Sequence, residues 1–351
     1  MSFDLAVFPA WWWGFGIALI LPVSTLAFLL SGPHEPVVAL WWTSPVWLLI
    51  GADLLSPAEH RRIPANAPKA FFEGLLHTLA ILQALNIVAM GLMVSSLQWE
   101  WSLTPEMVTT LSNLAALRIL GGTNACCGVI APAHELIHRR SPRLRMAGRM
   151  MLTSVFADHF RLAHRPGHHA CLGQASDPST ATRDETYGQF LRRTLPAQWL
   201  VAWRHSPRSV SVSLGSQALL LLGFWYLFGH LAAFMLLYQG WVAIRLLEAV
   251  NYFQHFGLTT ADGWPRGSAW RCDSAVSLFL FLGLPRHSDH HQRPATVFQE
   301  LVDQHHLPEL PFGYLVTAIW VKNASQHFRN WALNQGLTGP SPAPANPRST
   351  G

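Results

Sequence analysis

Two long stretches of this sequence contain no Asp, Glu, Lys or Arg: Leu5–His34, with 30 residues, and Ser209–Ile244, with 36 residues. A helix needs about 20 apolar residues to cross a bilayer, so both stretches exceed any ordinary strand or buried helix of a soluble protein. Only 12% of all residues are charged, about half the share that is typical of soluble domains. The sequence therefore predicts a polytopic membrane protein and excludes a soluble globular enzyme, a disordered chain and a disulfide-stapled secreted domain.

Apolar segments predict six membrane-spanning helices, at residues 9–30, 37–55, 71–96, 107–131, 209–228 and 231–250. The last two are expected to form a helical hairpin, broken at Gly229 and His230, which fits the predicted class of an all-α integral membrane protein. An even number of spans places both termini on the same side of the membrane. We expect one membrane-bound domain over residues 1–338 and a disordered, Pro-rich tail over residues 339–351.

The distribution of Lys and Arg predicts on which side of the membrane the two termini lie. The loop Ser56–Lys69 contains three, the segment His134–Arg208 contains twelve, and the two loops on the opposite side contain none. Because positively charged loops stay in the cytoplasm, both termini and both large loops are predicted to be cytoplasmic, with the chain in the inner (plasma) membrane. The formal charge of +5 then indicates an anionic membrane surface, and no nucleic-acid partner is expected.

Histidine occurs 18 times, and half of these residues fall into four short motifs at the cytoplasmic ends of spans or in cytoplasmic loops. The motifs are H-E-L-I-H, H-R-P-G-H-H, N-Y-F-Q-H-F-G-L and H-S-D-H-H. Their histidines are His134, His138, His164, His168, His169, His255, His287, His290 and His291. Clustered neutral imidazoles are typical metal ligands, and a zinc site uses four ligands while an octahedral iron uses at most six. Nine ligands therefore indicate two metal ions with open coordination positions.

Carboxylates near these motifs are expected to offset the metal charge through hydrogen bonds to the ligand histidines. The candidates are Glu135, Asp177, Glu185, Glu248 and Asp289.

Several functions are compatible with parts of this pattern. H-E-L-I-H alone is the motif of zinc proteases, but a protease would leave seven of the histidines unexplained. A haem protein would pair single histidines across spans, and a metal-binding or transport protein would repeat histidines along the spans. A non-haem di-iron oxygenase accounts for all four motifs, because imidazole suits iron and oxygen activation needs open coordination positions.

The spacing H-x3-H, H-x3-H-H, H-x2-H-H resembles that of the integral-membrane fatty acid desaturase and hydroxylase superfamily. The longer motifs H-E-L-I-H-R, N-Y-F-Q-H-F-G-L and L-P-R-H-S-D-H-H are similar to those of the membrane alkane 1-monooxygenases and the xylene and cymene methyl-group monooxygenases. The resemblance implies a six-helix transmembrane bundle with a cytoplasmic, histidine-rich di-iron cap, in which the nine histidines bind two iron ions. It also implies that His159 lies next to the ligand histidines and helps to position them without binding iron itself.

Four positions depart from the usual pattern of this family. Ala163 replaces a glutamate, Phe256 a tyrosine, Gln254 a glutamate and Pro285 a glutamine. None of these changes removes a ligand. They leave open whether the chain belongs to the branch of the family that hydroxylates aryl-methyl groups.

The resemblance implies an O2-dependent monooxygenase that hydroxylates the terminal methyl group of an alkane or alkyl chain, taken from the bilayer, to a primary alcohol. The alternatives are an aryl-methyl hydroxylase of the xylene or cymene type and a lipid or fatty acyl desaturase.

The reaction needs electrons, yet the sequence has no G-x-G-x-x-G fingerprint after a strand and no C-x-x-C pair. A rubredoxin or ferredoxin with an NAD(P)H-dependent reductase is therefore expected as partner. Its predicted docking surface consists of Arg139, Arg140, Arg143 and Arg145.

Overall fold

A computed structural model describes residues 11–265 and 267–337. These residues form helices joined by loops, and the β-structure among them is limited to two isolated bridges. The all-helical expectation is therefore confirmed. The predicted tail at residues 339–351 and the first two residues of the first predicted span lie outside the described residues.

Within the residues that the structure describes, five helical segments are long and apolar enough to cross a membrane, which confirms a multi-pass membrane protein. They are Trp11–Ser31, Pro36–Leu54, Lys69–Ser95, Pro105–Ile137 and Pro207–Asp262. In chain order the α-helices are α1 (Ile20–Ser31), α2 (Pro36–Trp41), α3 (Ser44–Leu54), α4 (Lys69–Ser95), α5 (Pro105–Asn124), α6 (Ala131–Ile137), α7 (Pro142–Ser154), α8 (Asp158–Ala163), α9 (Tyr187–His205), α10 (Pro207–His255), α11 (Ala275–Leu280), α12 (His287–Gln292) and α13 (Tyr314–Asn334).

Helix α10 contains the two last predicted spans, and it is broken at Gly229, where φ is 86° and ψ is 176°. This backbone conformation is open to glycine because it has no Cβ. Along a straight helix Glu248 would lie about 60 Å from Pro207, whereas the nine residues from Gln198 to Pro207 span at most about 32 Å. Because Gln198 Nε2 donates a hydrogen bond to Glu248 Oε1 at 3.0 Å, the chain must turn back at Gly229.

The second predicted span is interrupted. Helix α2 ends at Trp41, and α3 begins at Ser44, with a proline in its first turn. Proline lacks the backbone N–H that a continuous helix would use, so the two short helices meet at Thr43. The hydroxyl of Thr43 donates to the Leu40 carbonyl oxygen at 2.7 Å.

The fourth predicted span extends further than expected, through α5 and α6 to Ile137. A π-helical turn, Ala125–Ile130, joins the two helices. A second π-helical turn, His164–His169, follows α8. Such turns insert one residue into a helix and often occur at functional sites. The first precedes the H-E-L-I-H motif, and the second is formed by the H-R-P-G-H-H motif itself.

A buried carboxylate connects three elements that are distant in sequence. Asp53 of α3 is 2% exposed, and its Oδ1 accepts hydrogen bonds from the hydroxyls of Ser274 and Ser277, both at 2.7 Å. Its Oδ2 accepts one from the backbone N–H of Leu315 at 2.9 Å. Asp53 therefore holds α11 and α13 against α3.

Candidate metal centre

Four elements bring the histidine motifs together. Helix α6 and the residue after it carry the first motif, the π-helical turn after α8 the second, the end of α10 the third and α12 the fourth. Their nine histidines form two groups, in each of which the candidate ligand atoms lie within 4.8 Å of one another. The first group consists of His134, His138, His164, His169 and His290, and the second of His168, His255, His287 and His291.

The Nε2 atoms of these rings lack the partners that buried polar atoms normally have. Among the described residues, four of them have no hydrogen-bond partner: those of His138, His168, His255 and His290. The other five contact only another Nε2, at 2.9 Å between His134 and His164 and at 3.0 Å in the pairs His164–His169 and His287–His291. Nitrogen lone pairs that face one another without donors fit metal ions.

Burial favours the neutral form of several of these rings. The pKa of His138 is lowered to about 3, first by burial and then by nearby Arg165 and His168. Burial, followed by the neighbouring imidazoles, also holds the pKa of four other ligand candidates well below the ordinary value. These are His164, His287, His290 and His291. Neutral imidazole is the form that binds a metal, so no proton has to leave these rings at pH 7.

Two rings in the second group are oriented through their Nδ1 atoms. His168 Nδ1 lies 3.0 Å from Asp177 Oδ2, and His255 Nδ1 lies 3.3 Å from the Ser268 carbonyl oxygen. Asp177 is itself fixed by the Thr180 hydroxyl at 2.6 Å and the Ser179 N–H at 2.9 Å. Burial raises the pKa of Asp177, but His168 and these hydrogen bonds outweigh it and the pKa lies below its usual value.

The other candidate carboxylates pair with residues that are not ligand candidates. Glu135 forms an ion pair with Arg139, with 2.8 Å between Oε1 and Nε, and Asp289 accepts a hydrogen bond from Arg293 at 2.9 Å. Glu185 accepts from Arg193, so the predicted bond from Glu185 to a ligand histidine is not formed. The reason is geometric, since Arg193 lies on α9 and its guanidinium reaches back to Glu185 and to the carbonyl oxygens of Pro178 and Thr180.

Two further candidates lie deep in the protein. Glu248 is fully buried and accepts from Gln198 at 3.0 Å and Asn251 at 3.2 Å. His159 stacks on Trp199, with ring centroids 4.6 Å apart. Within the described part of the chain neither nitrogen of His159 has a hydrogen-bond partner, so this ring does not support a ligand histidine through a hydrogen bond.

The four arginines of the predicted docking surface differ in their surroundings. Arg139 pairs with Glu135, and Arg145 Nη1 donates to the carbonyl oxygens of Arg139 and Arg140 at 3.1 and 2.6 Å. The side chains of Arg140 and Arg143 are exposed. Arg140 and Arg143 therefore present exposed charges that make no hydrogen bond or ion pair with the described residues, whereas the exposed Arg145 is held by two carbonyl oxygens.

An apolar cavity adjoins the histidine groups. Three ligand candidates, His134, His164 and His287, form part of its wall. Most of the remaining wall is apolar and includes Ile130, Phe160, Leu247, Val250, Phe281 and Leu284. The cavity can thus hold an apolar group beside the metal centre and keep water away from it.

Sequence analysis did not identify the residues of this wall. Cys126 and Ile130 precede His134 by eight and four residues, and Asn251 precedes His255 by four; all three line the cavity. A spacing of four places residues on one helical face, so this signal was present in the sequence. The Ser268 carbonyl lies in a loop and has no comparable signal.

A third, exposed group contains His60, Asp303 and His305. Its members are already paired, since Asp303 Oδ2 lies 3.0 Å from a nitrogen of each histidine. Arg271 Nη1 also lies 3.1 Å from His305 Nδ1. This group is an ion-pair network between loops.

The described residues combine an all-helical fold, several apolar helices of bilayer length and a buried set of inward-facing imidazoles. These features are typical of one class of proteins, the multi-pass membrane metalloproteins. The model of the family described as Fatty acid desaturase matches residues 109–321, which is more than half of the sequence. The chain belongs to this family.

Individual proteins that are similar to this chain indicate which members of the family it resembles. Alkane 1-monooxygenase 1 of Pseudomonas aeruginosa is 28% identical over 305 residues, which cover 79% of this chain and 76% of that protein. Alkane 1-monooxygenase 1 of Alcanivorax borkumensis is 29% identical and covers 79% and 72%. The xylene/toluene monooxygenase hydroxylase component XylM of Pseudomonas putida is 28% identical and covers 59% and 62%. The family resemblance predicted from the histidine motifs is confirmed.

Proposed function

We propose that this chain is a membrane non-haem di-iron monooxygenase that hydroxylates the terminal methyl group of an apolar substrate, an alkane or alkyl chain, to a primary alcohol. The observation that carries the proposal is the division of nine inward-facing imidazoles into groups of five and four beside an apolar cavity. The relatives named alkane 1-monooxygenase support the same reaction.

Each histidine group would hold one iron ion. When bound, the iron pair supplies the reductive activation of O2, which no protein side chain can perform. The five-histidine and four-histidine sets each offer fewer ligands than the six that an octahedral iron could take, so they would leave room for O2. Asp177 positions His168 by accepting from its Nδ1, which would leave Nε2 free to bind iron, and the Ser268 carbonyl would do the same for His255.

The cavity would position the substrate. Its wall joins three ligand histidines to apolar side chains of α6, α8 and α10. Apolar walls exclude water and hold a hydrocarbon without directional bonds, so a methyl group that enters is held against the imidazole wall.

The chain is proposed to cross the inner (plasma) membrane six times as one domain, since the break at Gly229 divides the fifth apolar segment into two crossings. The Lys and Arg distribution favours cytoplasmic termini and a cytoplasmic histidine cap.

The proposed electron donor is a rubredoxin or ferredoxin, reduced by an NAD(P)H-dependent reductase. It would dock beside Arg140 and Arg143, while Arg139 and Arg145 stabilise the turn between α6 and α7.

The second candidate is hydroxylation of a methyl group on an aromatic ring. The similarity to the XylM component favours it, and Phe160 and Phe281 of the cavity wall could stack on a ring.

The test is product analysis of membranes that contain the chain, supplied with O2, the donor system, a series of n-alkanes and a set of methyl-aromatics. We expect O2 uptake coupled to primary alcohol formation from alkanes, and loss of turnover in His164→Ala. The exposed His327 is the control, and His327→Ala should retain activity. Exclusive oxidation of methyl-aromatics would select the second candidate, and a carbon–carbon double bond as product would contradict both.

A further inference from the structure

Helix α7 lies between two grooves of opposite character. One groove, of about 470 Å³, has four arginines in its wall: Arg145, Arg149, Arg161 and Arg165. None of its lining residues is acidic. We call this the basic groove.

The basic groove keeps an excess of positive charge. Arg149 and Arg161 share one buried carboxylate, that of Asp158, at 3.5 and 2.8 Å. Arg165 is exposed and forms no ion pair within the described part of the chain. The guanidinium groups therefore outnumber the neutralising carboxylate, and such a cluster favours a phosphate group.

The second groove, of about 750 Å³, is mostly apolar and lies between α4, α7 and the first half of α10. Ile81 and Ala84 line it from α4, Met150 from α7, and Val212 and Leu220 from α10. We call this the lateral groove. Its wall on α4 extends from His77 to Ile87, which is about 15 Å along the helix axis, long enough for much of an acyl chain.

The two grooves are continuous, because Met146 and Arg149 of α7 line both. Met146 and Met150 are exposed by 51% and 67%, and the same helix carries Arg143, Arg145 and Arg149. A helix with exposed apolar residues beside cationic ones is typical of the membrane interface. A ligand that fills both grooves must therefore combine an anionic head with an apolar tail.

We propose that the two grooves form a binding site for one anionic phospholipid of the bilayer. The phosphate lies among Arg149, Arg161 and Arg165, and one acyl chain follows the lateral groove along α4. The charge of the basic groove selects an anionic headgroup over a zwitterionic one. An apolar substrate on its way to the metal centre would use the lateral groove alone and would not need the arginines.

The test is native mass spectrometry of the purified full chain in detergent, titrated with phosphatidylglycerol, phosphatidylcholine or inorganic phosphate. We expect one phosphatidylglycerol per chain with a Kd at least tenfold below that of phosphatidylcholine. Arg165→Gln should raise the Kd for phosphatidylglycerol roughly tenfold by removing one charged contact. Ala84→Trp, which fills the lateral groove, should raise it by a similar factor.

Two matched variants serve as controls. Arg192→Gln removes an exposed arginine outside the basic groove, and Leu85→Trp places the same indole side chain at a neighbouring exposed position outside the lateral groove. Both should bind phosphatidylglycerol like the unmodified chain.

Equal affinity for phosphatidylglycerol and phosphatidylcholine would overturn the proposal. The proposal would also be overturned if inorganic phosphate binding depended on Arg165 while Ala84→Trp left lipid binding unchanged. That result would indicate a simple anion site. Ala84→Trp that impairs only alkane turnover would identify a substrate route instead.

Discussion

At the residue scale, the orientation of His168 depends on one buried carboxylate. Asp177 is 2% exposed, accepts from the Thr180 hydroxyl and the Ser179 N–H, and faces His168 Nδ1. These contacts fix which nitrogen of the ring carries the proton and turn Nε2 towards the other histidines. A buried acceptor with three partners cannot rotate without losing hydrogen bonds.

We predict that Asp177→Asn lowers iron content or activity by about 10–100-fold, the usual effect of losing a partner behind a metal ligand. The amide keeps the shape of the side chain but presents an N–H group to a neighbour that needs an acceptor. Iron is measured by elemental analysis of the purified protein, and turnover by alcohol formation. Asp184→Asn is the control, because the Asp184 side chain is 95% exposed. Full iron content together with unchanged turnover in Asp177→Asn would refute the assigned role.

The residue scale also shows what the sequence can predict. Eight of the nine histidines are recognisable because their spacing within three motifs places them on one side of a short helix. His255 is the single histidine of its motif and is recognisable only from the residues around it. Asp177 was expected among five carboxylates, but no sequence signal separates it from Glu185, which bonds to Arg193 instead. The difference arises from the fold of the loop between α8 and α9, and that fold is set by tertiary contacts.

At the scale of elements, three helices meet at Asp53 of α3. Its carboxylate accepts from two serines around the start of α11 and from the backbone at the start of α13. Such a contact requires the chain before α13 to approach the carboxylate closely. Gly313 provides this approach, because a Cβ at this position would overlap the carboxylate of Asp53.

We therefore predict that Gly313→Ala destabilises the protein by about 1–3 kcal/mol, the range of an overpacked core position. The added methyl group displaces Asp53 and weakens its hydrogen bonds to α11 and α13. The measurement is the thermal unfolding midpoint in detergent. Gly51→Ala on the same helix as Asp53 is the control, since a Cβ there meets no atom within 4 Å. Equal midpoints for both variants would show that the junction at Asp53 tolerates the extra volume.

Elements were predictable to different degrees. The break in α10 was expected at Gly229 because glycine separates two apolar stretches, each long enough to span a bilayer. The interruption between α2 and α3 was not predicted, although Pro45 lies in the first turn of α3. The two π-helical turns were not predicted either, because one inserted residue leaves no mark on hydropathy.

At the scale of the whole molecule, exposed positive charge lies next to the first histidine motif. Arg140 and Arg143 follow His138 within five residues and are exposed, whereas Arg139 and Arg145 are committed to internal contacts. Charge reversal at Arg145 would open the turn between α6 and α7 and so would not test docking. Arg140 and Arg143 can be changed without breaking a contact described in the structure.

We predict that the double variant Arg140→Glu, Arg143→Glu slows carrier-dependent turnover roughly tenfold at low salt, because opposite charges steer the encounter of an acidic carrier with this surface. The difference from the unmodified chain should shrink as ionic strength rises, since salt screens exposed charges beyond about 10 Å at 0.1 M. The measurement is substrate oxidation as a function of rubredoxin or ferredoxin concentration at several salt concentrations.

Turnover driven by hydrogen peroxide, which needs no carrier, separates docking from damage to the metal centre, and it should be unchanged in the double variant. Arg62→Glu is the matched control, because Arg62 is exposed on a different loop. It alters the charge of the whole molecule without touching the surface between α6 and α7. If Arg62→Glu slows carrier-dependent turnover as much per charge as the double variant, the steering comes from net charge and the docking surface is wrong. If peroxide-driven turnover falls with carrier-dependent turnover, the two arginines act on the iron site.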